Sequence, residues 1–352
     1  MNKSLALISI LFILSHVFSC NKYRYNDVRK FSLADITERK QLKGEIIELD
    51  EIFMPVRLYI KDSLLFTINN RDRYFVSVFH LKEMKKIGDF IGFGNGPNEV
   101  LEVSSIQFQD SLVWVLDQNR QQINKYQLNQ FLEDNEVIPL ERIKIEDAFE
   151  KALVSHNKLI INSLRYIQSR FSFYDLQGNF LENKGDLPDA GVKLTDLELF
   201  ESFFCNMALN PSDESIFVAY MNTDLIEIYD ANGNLKIRMF GPDHFYSIKK
   251  QKSSGNEYMV RSIEGETRDA YFSPVAFEDE IWTIYNGKYF DRTIRNDLNN
   301  RIILFDWNGN PIREYTTDIS FFSLAVDRQN SVFYGITFSP EYAFVKFNYS
   351  NK

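Results

Sequence analysis

The chain has 352 residues, 44% of them hydrophobic, which is enough to bury a large core in one big β domain or two smaller ones. Aromatics make up 15%, led by 31 Phe and 18 Tyr, and flat rings favour the pleated surface of strands. The formal net charge is -9 with both signs interspersed. That excludes the clustered basic face needed for nucleic acid or an anionic membrane surface.

The first elements are targeting signals. Lys3 is a short basic region, Leu5 to Phe18 form an apolar stretch too short to span a bilayer, and Val17-Phe18-Ser19-Cys20 ends it. An aliphatic residue, a small residue and then Cys make a lipobox, so residues 1–19 are expected as a lipoprotein signal peptide with lipid attached at Cys20. Several acyl chains anchor firmly, since each buried CH₂ contributes about 0.8 kcal/mol. The other cysteine, Cys205, sits in an apolar stretch and is expected to pack as a small hydrophobe. Asn21-Lys22-Tyr23-Arg24 carry no acidic run, so an outer-membrane position facing the periplasm is expected, with surface display as the alternative. Residues 20–43 read as the lipidated Cys and a polar tether, and 44–352 as the folded domain.

Six apolar, aromatic-rich runs follow short polar turns, beginning at Leu64, Leu112, Leu159, Ile216, Ile281 and Val332. Strand-built units recurring at about this length mark a radial repeat architecture. Each unit divides into four strands, a to d, with the apolar run as strand b. Strand a precedes it (Val56 to Ile60, Ser105 to Phe108), and strand c alternates apolar and polar (Ile226 to Tyr229). The c–d turn repeats as Asp175-Leu176-Gln177-Gly178-Asn179, Asp230-Ala231-Asn232-Gly233-Asn234 and Asp306-Trp307-Asn308-Gly309-Asn310. Tight hairpins need residues at positive φ, which Gly and Asn supply most cheaply. The last unit lacks strand d, and Glu45-Ile46-Ile47-Glu48-Leu49 has no unit of its own. Placed together they close a ring and remove an open sheet edge. The fold expected is an all-β six-bladed β-propeller of four-stranded antiparallel blades, closed by this N-terminal strand.

The lipobox, six such blades and Gly92-Phe93-Gly94-Asn95-Gly96-Pro97-Asn98-Glu99 together resemble the TolB-like six-bladed β-propeller lipoproteins of Gram-negative anaerobes. The loop is similar to that family's Gly-x-Gly-Pro-x-Glu signature. The resemblance implies architecture and location far more than activity. A phosphate cradle would lead from the glycines into a helix, whereas this loop leads into a strand. Gly92, Gly94, Gly96, Pro97 and Glu99 are therefore expected to form a structural corner.

His16, His80, His156 and His244 lack ligand spacing, and no Gly-x-Ser-x-Gly occurs, so no cofactor is expected. Ca²⁺ in a central channel has no supporting acidic loop. Strand alternation puts the a–b and c–d turns on one face and the b–c and d–a connections on the other. The long connections, Asn129 to Glu150, Gly185 to Ser202, Gly241 to Ala270 and Asn286 to Asn300, are all assigned to the second face. It also carries Arg71, Arg73, Arg120, Arg165, Tyr166, Asp224, Tyr289 and Arg292, residues suited to carboxylates, sugars or peptide backbone. Thr195 to Glu201 has the capping residue and apolar spacing of a short helix, and Lys249 to Asn256 reads as a solvated loop tip. The expected function is non-catalytic binding of an envelope protein, peptide or glycan through this face. The alternative is a lactonase or glycan-cleaving propeller with its site at the channel mouth.

Overall fold

Strand b of every blade is buried along most of its length because it is covered on both sides. In Leu64–Asn69 all six residues are buried, and Ile216–Tyr220 behaves the same way. The computed structural model describes residues 28–350 apart from 50–51, 53, 71–72, 134–135, 255–256, 292, 294–297 and 339–340. Within these residues the strands form six blades, each antiparallel in the order a-b-c-d.

Blade 1 is Pro55–Lys61, Leu64–Asn69, Tyr74–His80 and Lys85–Gly92. Blade 2 is Ser105–Gln109, Leu112–Asp117, Gln122–Gln127 and Glu141–Lys144. Blade 3 is Phe149–Val154, Leu159–Ser163, Ser169–Tyr174 and Phe180–Asp186. Blade 4 is Cys205–Leu209, Ile216–Tyr220, Leu225–Tyr229 and Leu235–Phe240. Blade 5 is Tyr271–Ala276, Glu280–Tyr285, Asn299–Asp306 and the first part of the long strand Pro311–Asp327. That strand continues as strand a of blade 6, which adds Val332–Phe338, Tyr342–Asn348 and Gly44–Ile47. The closing pair is antiparallel, with Phe344 opposite Ile47 and Phe347 opposite Gly44. The ring closure expected from the strand count is the one observed.

The core is divided into layers between neighbouring blades rather than gathered at the centre. Phe66, Val76 and Phe90 of blade 1 meet Ile106, Val115 and Tyr126 of blade 2. Ile160 and Phe171 of blade 3 meet Val218 and Tyr229 of blade 4, and Cys205 is buried there as expected. Leu58 and Phe79 of blade 1 meet Tyr334 and Phe344 of blade 6, which completes the circle. Burying a large apolar side chain stabilises by roughly 1.5–3 kcal/mol, so each interblade layer holds its two sheets together.

The c–d turns show why their sequence repeats. In each, the Asp Oδ1 accepts the backbone N–H two and four residues on, and the Asn side chain donates back to Oδ2, at 2.8–2.9 Å. Gly233 sits at φ 78°, where a side chain would be strained.

The structure differs from expectation in three places. Residues 28–42 are not part of a free tether: Arg29–Lys30 pairs in parallel with Leu235–Phe240, and Glu38–Leu42 pairs in parallel with Pro311–Asp327. Phe31, Ile36 and Leu42 bury their side chains in the layers around blade 5, which is what takes the segment out of solvent. Residues 128–140 link strands c and d of blade 2, so this connection lies on the face expected to hold only short turns. Its short helix Gln130–Glu133 plants Phe131, fully buried, in the layer between blades 1 and 2. The third difference is Lys249 to Asn256, where Lys250–Ser254 pairs with Glu257–Arg261 as a hairpin. The signal segment and Cys20 lie outside the described residues.

Candidate functional site: the channel and the loop-rich face

The b–c and d–a connections emerge on one face, and the longest are residues 93–104, 187–204, 241–270 and 286–298. They carry structure of their own. Thr195 caps the helix Asp196–Ser202, accepting from Glu198 N–H while the Glu198 side chain reaches back to Thr195, the capping box its sequence suggests. Asp243 and Arg268 pair at 2.7 Å across the 241–270 segment. Arg268 also donates to Gly287 O at 3.0 Å, which ties that segment to the b–c loop of blade 5. Its guanidinium lies 4.0 Å from the Phe245 ring centre and 5.1 Å from that of Tyr289. Tyr289 is 54% exposed, an aromatic ring presented outward over a fixed cation.

The other sequence-predicted residues have separate fates around the ring. Arg120 is spent on the glycine loop: it donates to Gly94 O at 2.6 Å and Glu99 O at 2.8 Å. Within that loop Glu99 accepts from Gly96 N–H at 2.7 Å, Gly94 N–H donates to Val100 O, and Val100 N–H donates to Gly92 O. A side chain on Gly94 would collide with the Glu99 carboxylate, so Gly92, Gly94, Gly96 and Pro97 frame a turn closed by its own glutamate. Arg165 pairs with Asp147 at 2.8 Å, and Tyr166 stacks on Phe180 with ring centres 5.0 Å apart. Arg73 lies over the Tyr74 ring. Asp224 is fully buried and accepts from Asp243 and His244 N–H at 2.6 Å each. Burial pushes its carboxyl up to about 7, against the pull of those two donors. Arg71 and Arg292 lie outside the described residues. The candidates thus share a face but do not converge on one point.

The axis of the ring holds what the sequence reading missed. Two cavities of about 550 Å³ and about 400 Å³ share the side chains of Arg57, Lys151, Ser273 and Ser323. The larger opens toward the a–b turns past His156 and Glu214, whose side chains meet at 2.7 Å. The smaller opens toward the loop-rich face past Asn69, Phe75, Glu102 and Gln118. Ser273 and Ser323 sit at φ 47° and 59° where strands a of blades 5 and 6 bulge. Such bulges re-aim side chains beside sites. Lys151 is likewise next to a bulge, between Phe149 and Lys151. Burial and then Arg57 depress its ammonium to about 8. The signal available was a charge inside an inner strand, which the sequence alone could not distinguish from a solvated edge.

A family model described as TolB-like 6-blade propeller-like matches residues 31–329, and the chain belongs to that family. Among solved structures it is similar to a member of the DUF4221 family from Bacteroides vulgatus ATCC 8482. That likeness has 10% identity and a TM-score of 0.52, over 88% of this chain and 99% of that one. It is also similar to a protein of Bacteroides fragilis NCTC 9343 named as exported. Here the identity is 11% and the TM-score 0.53, over 89% of this chain and 100% of that one. At such identities the likeness shows the fold alone. The sequence matches no curated protein.

Proposed function

We propose that this propeller is a cell-envelope lipoprotein, anchored through Cys20 and binding a protein, peptide or glycan partner through its loop-rich face. The observation that carries the reading is the platform of Tyr289 over Arg268, fixed by Asp243 and Gly287 on a face built from the longest connections. Rigid, outward-facing aromatics on structured loops provide contact area at low entropic cost. The lipobox and the exported name of the Bacteroides fragilis neighbour support an envelope location on the periplasmic side of the outer membrane.

The test is a thermal-shift screen of the full chain in detergent against envelope glycans and peptides, because a ligand that binds only the folded state raises its melting temperature. The expected result is stabilisation by one class, abolished by Tyr289→Ala. Stabilisation that survives Tyr289→Ala would place the partner elsewhere, and hydrolysis of the ligand would replace the binding reading with the catalytic one. Cys20→Ser should release the protein from the membrane fraction, and unchanged fractionation would refute anchoring.

A further inference from the structure

Arg57 and Lys151 both line the waist that the two channel cavities share, from strands a of blades 1 and 3. Among the described residues neither makes an ion pair with a carboxylate, and the Lys151 ammonium rests 5.4 Å from the Phe204 ring centre. Two cations held together without a bridging carboxylate destabilise each other, which a bound anion would relieve. Ser323 Oγ accepts the Leu58 N–H at 2.9 Å, which leaves its hydroxyl proton to donate into the cavity. The walls on the loop-rich side mix the apolar side chains of Val56, Val103, Phe272, Ile284 and Phe322 with polar ones, among them Asn69, Gln118 and Asn299.

We propose that this waist binds an organic monocarboxylate, its carboxylate between Arg57 and Lys151 and its apolar body against Phe272 and Phe322. The site is distinct from the loop-rich face and stands whether or not that face binds a partner. Glu102 lines the same cavity, and both Glu102 and Glu150 act on Lys151 through their charge. That acidic presence opposes a dianion such as phosphate and leaves room for a single negative charge. The remaining group felt by Lys151 is the buried thiol of Cys205, itself pushed up by burial. The carboxylate would restore the Lys151 ammonium toward its ordinary range, so binding at mildly alkaline pH would take up a proton.

The test is calorimetric titration of the full chain with benzoate, with benzamide as the neutral isostere and inorganic phosphate as the dianion. Benzoate should bind at one site, with benzamide and phosphate at least about tenfold weaker. Arg57→Gln and Lys151→Met should each weaken benzoate by about tenfold or more, the loss of one charge-assisted contact. Arg57→Lys should restore part of the affinity. At pH 8.5, heats in two buffers of different ionisation enthalpy should show proton uptake in the parent and none in Lys151→Met. Tyr289→Ala should leave all of this unchanged. The proposal is overturned if benzoate gives no heat at tens of millimolar or binds no better than benzamide. It is equally overturned if affinity survives in a folded Lys151→Met protein, or if proton uptake persists there.

Discussion

Gln107 and Val154 join blades 2 and 3 as if the glutamine side chain were one more residue of strand. Its Nε2 donates to Val154 O at 2.6 Å, and Val154 N–H donates to its Oε1 at 2.8 Å. Among the described residues strands a of neighbouring blades share no backbone ladder, so this side chain satisfies backbone groups that would face the channel unmet. Gln107→Leu keeps the volume but leaves both Val154 groups without partners. Urea denaturation should show a loss of about 1–3 kcal/mol. An unchanged midpoint would mean that channel water replaces both bonds at no cost.

Closure of the ring depends on a residue without a side chain. A Cβ at Gly44 would lie 2.7 Å from Phe347 Cε1 and 2.8 Å from Val345 Cγ2. Gly44→Val should force strand d of blade 6 away from Tyr342–Asn348, at roughly 1–3 kcal/mol of overpacking. Amide exchange should accelerate in residues 342–348 first. Uniform acceleration around the ring would contradict a local opening.

Glu227 is the buried anion of blade 4. It accepts from Tyr220 and Tyr229 hydroxyls at 2.6 Å each and pairs with Arg238 on the neighbouring strand. Arg170 of blade 3, almost fully buried, reaches Tyr220 at 3.3 Å, so the network crosses an interblade layer. Glu227→Ala strips one carboxylate from two hydroxyls and a guanidinium. The expected cost is about 3–5 kcal/mol, as for breaking a buried ion pair on one side. Glu227→Ala combined with Arg238→Met should recover part of the loss, measured by the same denaturation series.

Asp224 and Asp269 give stability a pH dependence of known sign. Burial raises Asp224 to about 7 and Asp269 to about 6, above the ordinary value of 3.8. Between those values the folded chain binds more protons than the unfolded one, so stability falls as pH rises through that window. Above pH 7 the two states are equally ionised at these groups and the slope from them vanishes. The urea midpoint should therefore be higher at pH 5 than at pH 7.5. Asp224→Asn, which can still accept from Asp243 and His244, should flatten the upper part of the decline. A midpoint that rises with pH across the window would show that Asp224 stays ionised under its two donors.

Local chemistry was legible in the sequence, and long-range placement only where the strand count left one solution. The Asp-x-x-Gly-Asn turns and the capping box at Thr195 are complete within a few residues, so spacing alone identified them. Closure by Gly44–Ile47 followed from counting strands, because a ring leaves one place for an orphan. The parallel pairing of Glu38–Leu42 had no such constraint: Glu38-Arg39-Lys40-Gln41 is as polar as a solvated tether, and only Leu42 is buried. Arg120 had the appearance of a free donor, but its partners are carbonyls of a loop that the fold folds back beside it. Arg57 and Lys151 become neighbours only when blades 1 and 3 face the same axis.

Residues 29–47 lie in turn along the outer edges of blades 4, 5 and 6. Any pull on the N-terminus therefore reaches the parallel pairs at Arg29–Lys30 and Glu38–Leu42 before it reaches the seam at Gly44. The ion pair between Arg313 and Glu38 at 2.8 Å adds resistance at the second of these pairs. A stretch that reads as slack leash is instead paired backbone, and a pull from the N-terminus has to strip it before the ring can open.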